Sequence, residues 1–239
     1  MNTTSPSGAR ETILQKLRAG MPERPLPQPD LSNYLHGPFG VGSTGVRPDP
    51  AGLLEPFEAA ALSWRAEIHR SSPGHCMEVV REVLLRKKCV SIATGAPQWS
   101  PPGWRATLDS FQWMQFDAST EAWKAALFDT IDASITQAVA AIADTGSLVL
   151  IPGPHEPRSL SLVPPVHVAL LRASTLYASL PAAMASLEPQ ANMPTNLLLV
   201  TGPSKTADIQ QTLAYGAHGP KELVIVLVND LTAQPEPQP

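Results

Sequence analysis

Four short segments in the second half of the chain concentrate groups that can hold an anion or move a proton. The first, Asp144-Thr145-Gly146-Ser147, lies between two apolar segments. It reads either as a flexible tetrapeptide offering backbone N–H groups to a ligand or as an ordinary tight turn. The second begins Thr201-Gly202-Pro203-Ser204-Lys205-Thr206 and runs on through Asp208. If a helix starts here, its free N–H groups, the Ser204 and Thr206 hydroxyls and the Lys205 ammonium form an anion site. Plain capping by Ser204 or Asp208 explains the same residues. The third, Gly216-Ala217-His218-Gly219-Pro220, holds a histidine between glycines. His218, with Asp208, is a candidate general acid or base, and His218-Gly219 a candidate anion contact. The alternative is a helix C-cap at Gly216 beside an exposed histidine. The fourth runs from Arg158 to His167. Arg158 pairs either with a substrate carboxylate or with a surface acid, and His167, opening an apolar strand, reads as structural.

Other chemistries are excluded or weakened. Gly40-Val41-Gly42-Ser43-Thr44-Gly45 matches a dinucleotide fingerprint, but Gly37-Pro38-Phe39 before it and Arg47-Pro48-Asp49-Pro50 after it do not supply the required strand and helix. It reads as a flexible, lid-like loop. The 201–209 segment lacks the upstream glycine and Gly-Lys pair of a phosphate-binding loop. His155-Glu156 stands as an isolated pair on a proline-rich loop, and no set of residues has metal-ligand spacing. Two cysteines, Cys76 and Cys89, cannot hold an iron–sulfur cluster that needs about four thiolates, and they read as buried thiols. A net charge of −4 without a basic stripe argues against nucleic acid. Arg86-Lys87-Lys88 reads as a helix end. No run approaches a membrane span and no signal peptide is evident, so the expected location is the cytoplasm.

The elements that must position these groups follow from periodicity. Helices are expected over 9–19, 51–64, 77–86, 121–128, 174–187 (capped by Ser174) and 204–214. Strands are expected over 89–93, 111–116, 142–143, 147–151, 166–171, 196–201 and 223–228, the last closing the sheet. Pro22, Pro25, Pro27 and Pro29 impose an extended arm after the first helix. Continuous apolar strands alternating with amphipathic helices predict a three-layer α/β/α domain around a mostly parallel sheet. The expected division is an N-terminal helix, arm and Gly-rich loop packing on the body over 1–50, an α/β domain over 51–230, and a disordered tail over 231–239. In such folds ligands sit at the carboxyl ends of the strands, and a small-anion pocket is expected there.

In combination, the series from Ile142 to Ser147, from Arg158 to His167, from Thr201 to Ile209 and from Gly216 to Pro220 resembles the LUD-domain family, and within it the lactate utilization proteins of the C type. The resemblance is strongest over 132–228. It implies an α/β/α fold of the NagB/RpiA/CoA-transferase type. It also implies a non-autonomous part in oxidising L-lactate to pyruvate beside two iron–sulfur partner proteins, which carry the clusters while this chain carries no cofactor. The family assigns no catalytic residue, so the anion-site residues named above remain inferences from the motifs. Ala217 and Lys205 depart from the residues common in the family; lysine keeps the charge but loses a bidentate fork. Two other readings stay open: a stand-alone transferase or isomerase acting on a phosphate or CoA ester, and a regulatory or scaffold subunit.

Overall fold

The computed structural model describes residues 6–20, 49–96, 103–116, 121–187, 194–207, 213–215 and 219–231. The proline arm, the Gly40–45 loop and most of the tail lie outside them. The chain divides into two units, Met1–Leu31 and Ser32–Pro239. In the first, helix α1 (Pro6–Ala19) starts on a proline, whose missing N–H costs nothing in the first turn. It ends at Gly20, whose N–H returns to the Lys16 carbonyl at 3.1 Å.

In the second unit, helix α2 (Pro50–Ser63) is opened by Asp49, whose side chain accepts the Ala51 N–H. Strand β1 (Glu67–Ser71) follows, then helix α3 (Cys76–Arg86) and strand β2 (Ser91–Thr94). Lys87 caps α3 and Lys88 takes a positive φ of 58°, so the basic run does end a helix. Helix α4 (Trp104–Thr107), strand β3 (Gln112–Gln115), helix α5 (Glu121–Asp129) and strand β4 (Ala133–Gln137) come next. Strands β5 (Ala140–Ile142) and β6 (Ser147–Leu150) lead to helix α6 (Ser159–Leu162) and strand β7 (Val166–Arg172). The chain continues with strand β8 (Leu176–Tyr177), helix α7 (Leu180–Ser186), strands β9 (Leu198–Val200), β10 (Lys205–Ala207) and β11 (Leu213–Tyr215), and strand β12 (Glu222–Val228).

Six strands form a wholly parallel sheet in the order β1-β12-β7-β4-β2-β3. One face packs Ile92, Ile135, Val168 and Val226 against Val80, Val83 and Leu84 of α3 and Trp104 of α4. The other packs Ala169, Leu171, Ile225 and Leu227 against Leu53, Phe57 and Ala61 of α2. On that same side Ala93 meets Trp123 and Leu127 of α5 and Leu160 of α6. This is the expected three-layer α/β/α arrangement around a parallel sheet.

Several local expectations are corrected. The β5–β6 hairpin and β9 leave the central sheet and form, with β8, a second sheet in the order β8-β5-β6-β9. The helix expected over 174–187 starts only at Leu180. Pro181 has no N–H and fits a first turn, not an interior. Leu176–Tyr177 pair with β5 instead, and Ser174 hydrogen-bonds the Asp230 carboxylate at 2.7 Å rather than capping a helix. The helix expected over 204–214 is replaced, in its described parts, by the antiparallel pair β10 and β11; strand pairing overrides a weak helical pattern. The last strand, β12, does not close the sheet. It lies inside, between β1 and β7.

At the centre of the sheet a small polar group is fully buried. Thr136 Oγ1 lies 2.8 Å from His167 Nε2. His167 Nδ1 and Ser134 Oγ are buried without a hydrogen-bond partner among the described residues. Burial pushes the His167 pKa down to about 4. The unfolded chain protonates at about 6.5 while the folded one stays neutral, so stability is lost as pH falls from about 6.5 towards 4. That loss should reach about 3 kcal/mol. Urea unfolding at pH 7 and pH 4.5 should show this component in the wild type and its absence in His167→Gln.

Candidate functional site

Two glycine turns converge on the C-terminal end of α2. Gly146, between β5 and β6, has φ of 66°, and a Cβ there would lie 2.3 Å from the Ala61 backbone nitrogen. Gly202, after β9, has φ of 75°, and its Cβ would lie 2.3 Å from the Trp64 carbonyl oxygen. Only a residue without a side chain permits such approaches at a left-handed backbone. Between the turns, the Ser147 hydroxyl donates to Thr145 Oγ1 at 2.9 Å and meets Thr201 Oγ1 at 2.6 Å. Asp144 extends the same turn, its N–H reaching the Ala178 carbonyl at 3.1 Å. Partial burial raises its carboxyl pKa against hydrogen bonds from Thr145 and its own backbone.

The third motif joins this cluster through the backbone. The Ser204 N–H donates to the Pro220 carbonyl at 2.9 Å, and Gly219 sits so close that a Cβ would come within 3.1 Å of Ser204 Cβ. Pro203 then lines a cavity of about 300 Å³ with Arg65, Glu67, Lys221, Glu222 and Leu223. Arg65 takes φ of 67° where α2 turns into β1. Thus Gly146, Ser147, Gly202, Pro203, Ser204 and Gly219 are brought to one region. Arg158 is not among the residues lining the cavity; it is exposed immediately before α6. Lys205 and Thr206 belong to β10, so the N–H groups expected at a helix start are strand groups there. Asp208 and His218 lie outside the described residues.

Residues 202–204 do follow the carboxyl end of β9. Relative to the central sheet, however, the cavity lies where β1 and β12 begin, at their amino ends. A charge network borders it. Lys87 Nζ meets Glu67 Oε2 at 2.6 Å and also reaches Glu222, while Arg86 and His69 contact Glu67 Oε1. Burial raises the Glu67 pKa, but hydrogen bonds from Lys87 and His69 and the charges of Lys87 and Arg86 outweigh it and hold the carboxyl below its ordinary value.

A second position, passed over in the sequence as an isolated pair, lies at the other edge. Glu156 is half-buried in the 152–157 loop, and burial pushes its carboxyl up to about 8 against a hydrogen bond from the Gln137 backbone. Nothing in the sequence pattern signals this, because the burial comes from packing of that loop on the ends of two distant strands. Cys76 and Cys89 are free and buried, and burial raises the Cys89 thiol to about 11. No group of three metal-ligating side chains occurs among the described residues, and none of the described helices is long and apolar enough to cross a membrane.

The LUD domain profile matches residues 97–228. The chain belongs to the LUD-domain family. An uncharacterized protein of Neisseria meningitidis serogroup B is 38% identical over 229 residues, covering 92% of this chain and 93% of that protein. Lactate utilization protein C of an Exiguobacterium species is 26% identical, covering 93% and 96%. The crystal structure of a DUF162 family protein from Deinococcus radiodurans matches the fold with a TM-score of 0.58 at 19% identity, covering 75% of this chain and 98% of that one. In this LUD protein the glycine motifs of the family's second half serve first as packing points for α2.

Gly146→Ala and Gly202→Ala should each lower stability by about 2–4 kcal/mol, combining left-handed strain with backbone overlap. Gly153→Ala, where a Cβ meets nothing within 4 Å, should change it little. Urea denaturation of the three variants checks the ranking.

Proposed function

We propose that this protein is a component of an L-lactate utilization system, taking part with two iron–sulfur partner proteins in the oxidation of L-lactate to pyruvate. We further propose that it binds a small anion at the loops around the amino-edge cavity. The supporting observation is the near-full-length similarity to lactate utilization protein C. The cysteine content fits a division of labour: two buried thiols do not make a four-thiolate cluster site, which suits clusters carried by the partner chains. For the anion, the loops bring Lys221 and Arg65 to a cavity of about 300 Å³, at the small end of ligand-pocket sizes. Ser204 stands beside it with its N–H committed to Pro220, leaving its hydroxyl as the group offered to a ligand. Lys221 carries the charge that neutralises a carboxylate.

A strain lacking the gene should fail to grow on L-lactate and should recover with the wild-type copy. Lys221→Ala should weaken binding of lactate or pyruvate by about 10- to 100-fold, the value of one charge-assisted hydrogen bond, and should slow growth on lactate while leaving the melting temperature intact. The protein should co-purify with iron–sulfur proteins, and lactate-dependent electron transfer should require the mixture. Complete lactate oxidation by the isolated chain, or unimpaired growth of the deletion strain, would sink the proposal.

A further inference from the structure

The central sheet changes direction once. From β2 the chain goes outward to β3, then crosses back to β4 and continues to β7 and β12. β2 and β4 are therefore the neighbours at the topological switch point, and the space outside their carboxyl ends is where open α/β sheets receive ligands. This edge is opposite the cavity at Glu67 and Glu222, because every strand of the sheet runs the same way.

The structure places Glu156 in that space. Along β4, backbone N–H groups point alternately to the two neighbouring strands. The Ala138 N–H donates to Leu170 of β7 at 2.9 Å, so the Gln137 N–H points the other way, towards β2. β2 ends at Thr94, opposite Ile135, before the level of Gln137. The Glu156 carboxylate accepts that N–H instead. Its loop is pinned there by the Ala96 N–H, which donates to the His155 carbonyl at 2.7 Å, and by Gly153 and Glu156 exchanging backbone hydrogen bonds. A simple loop anchor needs only an acceptor, which an uncharged side chain supplies. An ionisable carboxyl half-buried with no cation paired to it among the described residues is a costly choice for that role and a useful one for proton exchange.

We propose that the space at the carboxyl ends of β2 and β4 is a second ligand site, for a small 2-oxo or 2-hydroxy carboxylate, in which Glu156 donates its proton to a ligand oxygen. The inference draws on the proposed function for the ligand class alone. The proton passes from Glu156 Oε to the ligand oxygen and returns on release, and no electrons move. The acid is available at neutral pH because burial raises the carboxyl pKa to about 8. Among the described residues, β2 leads into Thr94-Gly95-Ala96 and β4 into Gln137-Ala138, Arg172 at the end of the neighbouring β7 is exposed, and so are His155 and Arg158 of its own loop.

Calorimetric titration of the full chain with pyruvate and with L-lactate between pH 6.5 and 9.5 tests this. The wild type should bind one of them, with affinity falling about tenfold per pH unit above about 8 as the carboxylate forms. Glu156→Gln keeps a neutral hydrogen-bonding group and can still hold the Gln137 N–H through its own donor-acceptor head. It should fold normally and bind without that pH dependence, and Lys221→Ala should leave the dependence in place. Absence of binding by either probe, or a pH dependence unchanged in Glu156→Gln, overturns the proposal. Binding lost in Lys221→Ala but unchanged in Glu156→Gln also overturns it, while supporting the amino-edge pocket of the proposed function.

Discussion

The contact on which most of the second unit depends is the approach of two side-chain-free turns to the last turn of α2. Gly146 comes from the hairpin of the smaller sheet and Gly202 from the end of β9. Both reach backbone atoms between Ala60 and Trp64. Because the approach is backbone to backbone, no side-chain rotamer can absorb a shift there. It ties the smaller sheet to the helix that already covers β7 and β12, and it sets Pro203 and Arg65 where the cavity forms. A motif that reads as a ligand loop is thus, in the first instance, a joint.

The sequence makes plain those elements whose burial matches their own composition. Glu222–Val228 and Val166–Arg172 are runs of apolar residues because both faces of an interior parallel strand are covered. α2 and α3 show their inward stripes for the same reason. Two strands of the central sheet are hidden. β4 reads Ala-Ser-Ile-Thr-Gln, and its Ser134 and Thr136 are buried polar residues at the sheet centre, so no apolar run marks it. β1 has one aliphatic residue in Glu-Ile-His-Arg-Ser because it is an edge whose outer groups are paired ions. Helical readings fail at 174–187 and 204–214 because local spacing says nothing of a distant partner strand.

The site is legible in a similar, partial way. The motifs that resemble the LUD family do gather in space, at Ser147 with Thr201 and at Ser204 with Gly219 and Pro220. Arg158 does not join them, and Arg65, Lys221 and the Lys87 network come from segments with no motif character. The amino edge is crowded with compensated charge. At the carboxyl edge Arg70 pairs with Glu58 and the Asp230 carboxylate holds Ser174, while Glu156 meets the Gln137 backbone; that its place beside β2 and β4 is a crossing point is visible only once strand order is known.

The interior position of β12 has a consequence for how the molecule comes into being. β1 has β12 as its neighbour in the sheet, with Glu67 opposite Val224. Nearly the whole of the second unit must therefore leave the ribosome before its first strand has anything to bond to. Until then β1, and the edge of β7 that β12 will cover, are open templates for other chains. Pairings this remote in sequence close slowly and leave such edges vulnerable during synthesis. The ions on β1 suit that interval: Glu67 and Arg70 keep a waiting strand soluble until Glu222–Val228 arrives to separate it from the rest of the sheet.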